Sequence, residues 1–364
     1  STNIVLNAED SGVTIRGPVL PTHDAVLDRG NTNTNQRVFS FEGASDVTLE
    51  WLNVTGGQDG IQAIAGSNGS DLGNDRVTLR FMDIYNNSAN GMELGNGHSD
   101  WLIHDNKLHN NLQYGLSASG SERTRIESNE VYGNNNRGIG VYSSAEAERS
   151  FVTGNDVHDN GAVGIDINSY VTASRNRVYN HNGPGDIGIN SSNSSSLVED
   201  NDAYNNTTGI QTGYQGRIIG NRSFDNVLGI YTYYSSNISR NYVYSNSTGI
   251  SDAGYSEIFD NLVYANTNVG IAQSPAVFVF PVRNEDTIPK RIRMTVDTYT
   301  IPASLDCRKR PEKKESERQN PEKNRKNVFI PVTEEAANWT LARVRHDIAA
   351  FPVPAGWSVT IEPA

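Results

Sequence analysis

The sequence predicts an all-β chain wound into a solenoid, its strands pairing in parallel from one coil to the next, with a C-terminal cap or appendage of mixed α/β character. Three observations predict it. A Gly-apolar phrase returns about every twenty residues, two asparagines recur at fixed places within each return, and an aromatic ring stands between those asparagines in coil after coil.

The phrase opens at Gly60, Gly91, Gly115, Gly138, Gly164, Gly188, Gly209, Gly229, Gly249 and Gly270, the later intervals being 24, 21, 20, 20 and 21 residues. Self-similarity at this period is the mark of a solenoid. Between the glycines lie short alternating runs such as Gly-Ile-Tyr-Thr from Gly229 and Ile-Ser-Arg-Asn-Tyr-Val-Tyr from Ile238. They are too brief and too β-branched for helices, so they read as strands separated by Asn, Ser and Gly turns. Two or three strands per turn bury alternate Ile, Val and Leu, and each strand pairs with its equivalent about 4.8 Å above and below.

The first asparagine runs from Asn106, Asn129 and Asn155 up to Asn261, and the second from Asn111, Asn134 and Asn160 up to Asn266, with His181 taking the second place once. Stacked amides hydrogen-bond from coil to coil, as in other in-register Asn ladders. The rings are Tyr85, His109, Tyr132, His158, Tyr179, Tyr204, Phe224, Tyr244 and Tyr264. His104, His109 and His158 suggest a metal trio, but two of them stand in this column and are expected to be stacked aromatics.

Composition narrows the function classes. The chain has 364 residues, a formal net charge of −12 and one cysteine, so no intrachain disulfide forms. No run approaches the roughly 20 apolar residues of a membrane span, and Ser1 opens a polar stretch without a signal pattern, as expected of a mature or excised piece. The acidic balance argues against nucleic acid as partner. Lysine marks a boundary: one, Lys107, precedes residue 275, and six follow. The expected division is a solenoid over 1–274, with irregular first coils from about Val13, and a C-terminal segment over 275–364. The latter contains a charged, Pro-broken linker at 307–326, a helix beginning at Thr333 and a final strand. This segment either caps the open end of the coil or forms a separate binding module.

These repeats resemble the short "PbH1" repeats of right-handed parallel β-helices of the pectate-lyase-like class, over about Val38 to Gly270. The resemblance implies a polysaccharide partner and a secreted or cell-surface bacterial protein, here expected to be a monomer. VGIDINSY from Val163 is in addition similar to the Tyr-Gly-apolar-Asp-Pro-His signature of mannuronan C-5 epimerases, whose Tyr, Asp and His are catalytic. Gly164, Ile165 and Asp166 match. Val163, Ile167 and Asn168 stand where the Tyr, Pro and His would be, so the resemblance carries over Asp166 alone.

The third and fifth residues of each Gly-apolar strand point outward. Among them are Glu93, Tyr142, Asp166, Asn168, Asn190, Tyr231 and Tyr233, with Tyr114, Tyr170, Tyr214 and Tyr234 at the strand margins. Rings stack on sugar faces while amides and carboxylates take hydroxyls, which makes this stripe suited to an extended sugar chain. The plainer account is that every soluble solenoid is polar outside.

Proton abstraction beside a uronate needs a base, an acid and a cation. Asp166 is one such group, Arg137 or Arg177 could supply the cation, and Tyr142 or Tyr170 a ring. Hydrolysis needs two carboxyls about 5–9.5 Å apart, and Glu93, three coils from Asp166, is about 14 Å away. Asp186 is the nearer candidate, paired with Asp166 for hydrolysis or for a Ca²⁺ ion of the kind β-helix uronate lyases use. The expected catalytic set is therefore Asp166, Asp186 and Arg177, in a lyase or epimerase. The alternative is a noncatalytic segment of a surface or adhesive protein, a spacer or carbohydrate-binding rod.

Overall fold

The computed structural model describes residues 2–19, 24–63, 73–143, 145–192, 195–273, 276–283, 289–296, 299–302 and 357–362. Each coil contributes three short strands, one to each of three long sheets. Sheet A runs from Ile4–Asn7 to Val269–Gln273, sheet B from Thr14–Arg16 to Glu257–Phe259, and sheet C from Ala25–Asp28 to Leu262–Tyr264. Pairing between coils is parallel, so equivalent residues stack: Ile210, Ile230 and Ile250 follow one another in sheet A, and Ile218, Ile238 and Ile258 in sheet B.

In sheets B and C the middle residue of each strand points inward. Ile103, Ile126, Leu108, Val131, Val157 and Val178 are fully buried, together with Ile139, Ile165 and Ile189 of sheet A. Ser223 is a polar exception in this position, and its hydroxyl donates to the Gly229 carbonyl at 2.8 Å.

The recurrent asparagines turn the corners. At the B-to-C corner the preceding residue adopts left-handed backbone, with φ of 55° at Asp105, 56° at Ser128 and 54° at Asp200. This conformation turns the chain and suits Asp, Asn and Gly best. The buried asparagine that follows then joins the coils. Asn221 donates its amide to the Val198 carbonyl at 2.9 Å and to Asn241 Oδ1 at 3.1 Å, and its backbone N–H reaches the same oxygen at 2.8 Å. A second ladder at the C-to-A corner begins at Asn87, one coil before the sequence reading starts it, with Asn87 Nδ2 donating to Asn111 Oδ1 at 2.9 Å.

The ring column lies on the outer face of sheet C. Successive centroids are 4.7 to 5.2 Å apart from Tyr85 to Tyr264, and all pairs are stacked. His109 and His158 belong to this stack, as expected, and His109 pairs with Asp83 at 2.8 Å.

Beyond Gln273 the pairing changes direction. Tyr299–Pro302 lies antiparallel to Val269–Gln273, and Ala276–Arg283, Pro289–Val296 and Trp357–Glu362 form a three-stranded antiparallel sheet. The last of these is the final strand expected from the sequence. The expected linker at 307–326 and the helix from Thr333 lie outside the described residues.

Candidate active site

Three coils of sheet A converge on one outward cluster. Tyr114 precedes the strand Leu116–Ser119, Arg137 begins Arg137–Tyr142, and Asp166 stands mid-strand in Val163–Asn168. The Arg137 Nη1 donates to the Tyr114 hydroxyl at 2.7 Å and lies 3.0 Å from Asp166 Oδ2, while its guanidinium covers the Tyr114 ring at 5.4 Å. On the far side Asn190 Nδ2 donates to Asp166 Oδ1 at 2.8 Å and to the Ser192 hydroxyl at 3.0 Å, and Gln211 Nε2 reaches Asn190 Oδ1 at 3.3 Å. Both oxygens of Asp166 are therefore held, and its side chain is 17% exposed.

Gly140 makes this possible. It occupies the outward column between Ser117 and Asp166, and a Cβ there would stand 3.3 Å from Tyr114 Cε1. Without a side chain at that place the phenol reaches across the coil to Arg137.

Other expected residues fall around the cluster. Tyr142 and Asn168 are register partners in the next outward column, and Tyr142 is exposed. Asn190, Gln211 and Tyr231 continue the Asp166 column upward, and Tyr231 packs edge-on against Tyr233 at 4.7 Å. Tyr170 sits in the turn after the Asp166 strand, in left-handed backbone with φ 42°. Glu93 is held by Gln62 at the lower end of the same column, with Ser117 and Gly140 between it and Asp166.

Two expected partners are not brought to Asp166. Arg177 is on the outer face of sheet C, where it contacts Asp156 at 3.2 Å and the Tyr204 hydroxyl at 3.1 Å. Asp186 closes its own turn by accepting the Gly183 N–H at 2.9 Å, and burial raises its pKa. It precedes Ile187, the register partner of Val163, so it lies four residues before the Asp166 row, about 13 Å along the strand. Among the described residues no three His, Cys, Asp or Glu side chains group to hold a metal ion. Asp166 and Asp186, weighed together for hydrolysis or for a cation, are thus set apart in the structure. Arg137, weighed in the sequence beside Arg177 as one of two cations, is the one that contacts Asp166. Tyr114, read only as a marginal residue, enters the site. The sequence signal for it is Gly140, a glycine in an outward column of mostly polar side chains.

The geometry agrees with what the chain matches. A family model, the right handed beta helix region, matches residues 37–150, 94–214 and 144–274. The chain belongs to the right-handed β-helix family. This β-helix is similar in structure to the A-module of the Azotobacter vinelandii mannuronan C-5 epimerase AlgE4, with 18% identity over 71% of this chain and 80% of that one and a TM-score of 0.59. The A-module of the Azotobacter vinelandii epimerase AlgE6 follows at 15% identity, 76% and 80% coverage and a TM-score of 0.49. PfbA, a surface adhesin of Streptococcus pneumoniae, gives 11%, 83%, 88% and 0.45. At these identities the likeness is one of fold. No curated protein sequence matches the chain.

Proposed function

We propose that this β-helix acts on a polysaccharide laid along the outer face of sheet A, by a reaction of the lyase or epimerase type centred on Asp166. The observation that carries the reading is that Arg137 contacts both Tyr114 and Asp166, which gathers a phenol, a fixed cation and a carboxylate on one polar stripe. In this reading one of Asp166 and Tyr114 takes the proton from the sugar carbon beside a uronate carboxylate. Arg137 offsets the charge that builds on that carboxylate. Return of a proton to the opposite face inverts the carbon. Departure of the neighbouring glycosidic oxygen instead leaves a double bond and a new chain end. The epimerase identity of the structurally similar A-module supports this choice of chemistry. Polymers of this kind lie outside cells, so the protein is proposed to be secreted or surface-bound.

A second reading, a noncatalytic glycan-binding rod, is favoured by one observation: Asp166 already neutralises Arg137. Incubation with alginates and polygalacturonate separates the two. Catalysis gives ultraviolet-absorbing unsaturated ends or epimerised sugars by NMR. Tyr114→Phe, which removes the hydroxyl and keeps the ring, should then slow the reaction by about a hundredfold or more. Polymers that bind and remain chemically unchanged would leave the rod.

A further inference from the structure

The upper coils of sheet A differ from the cluster around Asp166. From Ile187–Ser191 to Val269–Gln273 the strands of sheet A carry one charged residue, Asp252. It is buried and spent internally, accepting the N–H groups of Gly254 and Ser256 and the Ser256 hydroxyl. In a chain of net charge −12 this outer face is a charge-free area of amides, hydroxyls and phenols.

The phenols there are open. Tyr214 is 55% exposed, Tyr234 54%, Tyr255 54% and Tyr233 41%. The rings of sheet C, by contrast, cover one another's faces. Tyr214 and Tyr234 are register partners on adjacent coils. Tyr234 also packs onto backbone, since a Cβ at Gly254 would stand 3.0 Å from its Cδ1. A glycine beneath the ring fixes it against the sheet and leaves its remaining surface to solvent. The coil rise of about 4.8 Å is close to the length of one pyranose along an extended chain, so rings on successive coils meet successive sugars.

We infer that the outer side of sheet A from Gln211 to Ser251, with Tyr255 in the turn just beyond it, is a binding platform for a neutral, extended, β-linked glycan. The inference rests on reading sheet A as the sugar track, and it deepens that reading: the polymer would carry neutral β-linked sugars over the upper coils beside the uronate met at Asp166. Phenol rings stack on the apolar faces of pyranoses while amides such as Gln211 take hydroxyls. A polyanion would need cations that these strands do not carry. Neutral sugars need none, and coils stacked in register suit a ribbon-like β-linked chain better than a helical one.

Native electrophoresis of the full chain in gels containing hydroxyethylcellulose or galactomannan, with polygalacturonate and alginate as acidic probes, tests it. Expected is retardation by a neutral probe, unchanged by added salt. It should weaken about fivefold in Tyr214→Ala and in Tyr234→Ala, equivalent to about 1 kcal/mol each, and persist in Tyr234→Phe. Tyr242→Ala, which removes a similarly open tyrosine from sheet C, should bind as the parent does and so ties the effect to sheet A. Retardation by the acidic probes alone, by no neutral probe, or equally in the alanine variants overturns the inference. The first of these results leaves the proposed reaction standing.

Discussion

His181 interrupts a ladder otherwise made of asparagine, and its ring fits only in one protonation state. Its Nδ1 pairs with Asn206 Oδ1 at 3.0 Å, and its Nε2 faces the Asn160 amide at 3.3 Å. With Asn160 donating, Nε2 must be an unprotonated acceptor. Burial pushes the pKa down from 6.5 to about 4. The neutral form is the one that folds, so the stability is fully present above pH 6.5 and is lost as pH falls from there toward 4, about 2 kcal/mol of it by pH 5. His181→Asn should therefore flatten the acid limb of a denaturant-midpoint profile between pH 8 and pH 5. Profiles that stay parallel would show that His181 is not coupled to folding in this way. Asn241 is the complementary case. Its side chain accepts from Asn221 and donates to Ile218 and Asn261, whereas Asn237 lies on the outside of sheet B and accepts only from the Ser239 hydroxyl. Asn241→Leu should cost about 1–3 kcal/mol, the scale of buried groups left unpaired, and Asn237→Leu much less. Urea midpoints that coincide would contradict this assignment of the ladder.

At the scale of the strand, the repeated glycine is a packing requirement. A Cβ at Gly164 would stand 2.7 Å from the Gly188 carbonyl oxygen and 2.5 Å from Val178 Cγ1, so neither the next coil nor the sheet C strand can give way cheaply. Gly164→Ala should destabilise the chain by about 1–3 kcal/mol, read as a shift in urea midpoint without a change in slope. An unshifted midpoint would mean that the coils are less tightly stacked than they appear. Elements of this kind were legible in the sequence because the phrase that forms them is local: a left-handed corner, an asparagine, an apolar residue and a ring lie within a few positions of one another. The site was legible only in part. Asp166 stands inside such a phrase, but Tyr114 and Arg137 reach it from two other coils. Arg177 and Asp186 are near Asp166 in sequence, yet Arg177 turns onto another sheet and Asp186 lies at another row. Proximity along the chain is a poor guide in a fold whose neighbours are a full coil apart.

For the whole molecule, a straight stack of coils offers three long outer faces, and they differ in what they leave available. Sheet C spends its rings on each other and pairs charges such as Lys107 with Glu130 and Arg222 with Asp202. Sheet C also joins a carboxylate, a cation and a phenol, at Asp156, Arg177 and Tyr204, but beside rings that cover one another, whereas sheet A sets Asp166, Arg137 and Tyr114 below open tyrosines. This division is what points a polysaccharide to sheet A. The most direct test compares Asp166→Asn with the parent protein for turnover of the polyuronate that the parent alters, alongside the melting temperature of each. The account expects turnover to be abolished while the melting temperature stays nearly unchanged, since an amide at this position can still accept from Asn190. A lowered melting temperature, with no polysaccharide bound or altered by either protein, would contradict it and assign Asp166 a structural role.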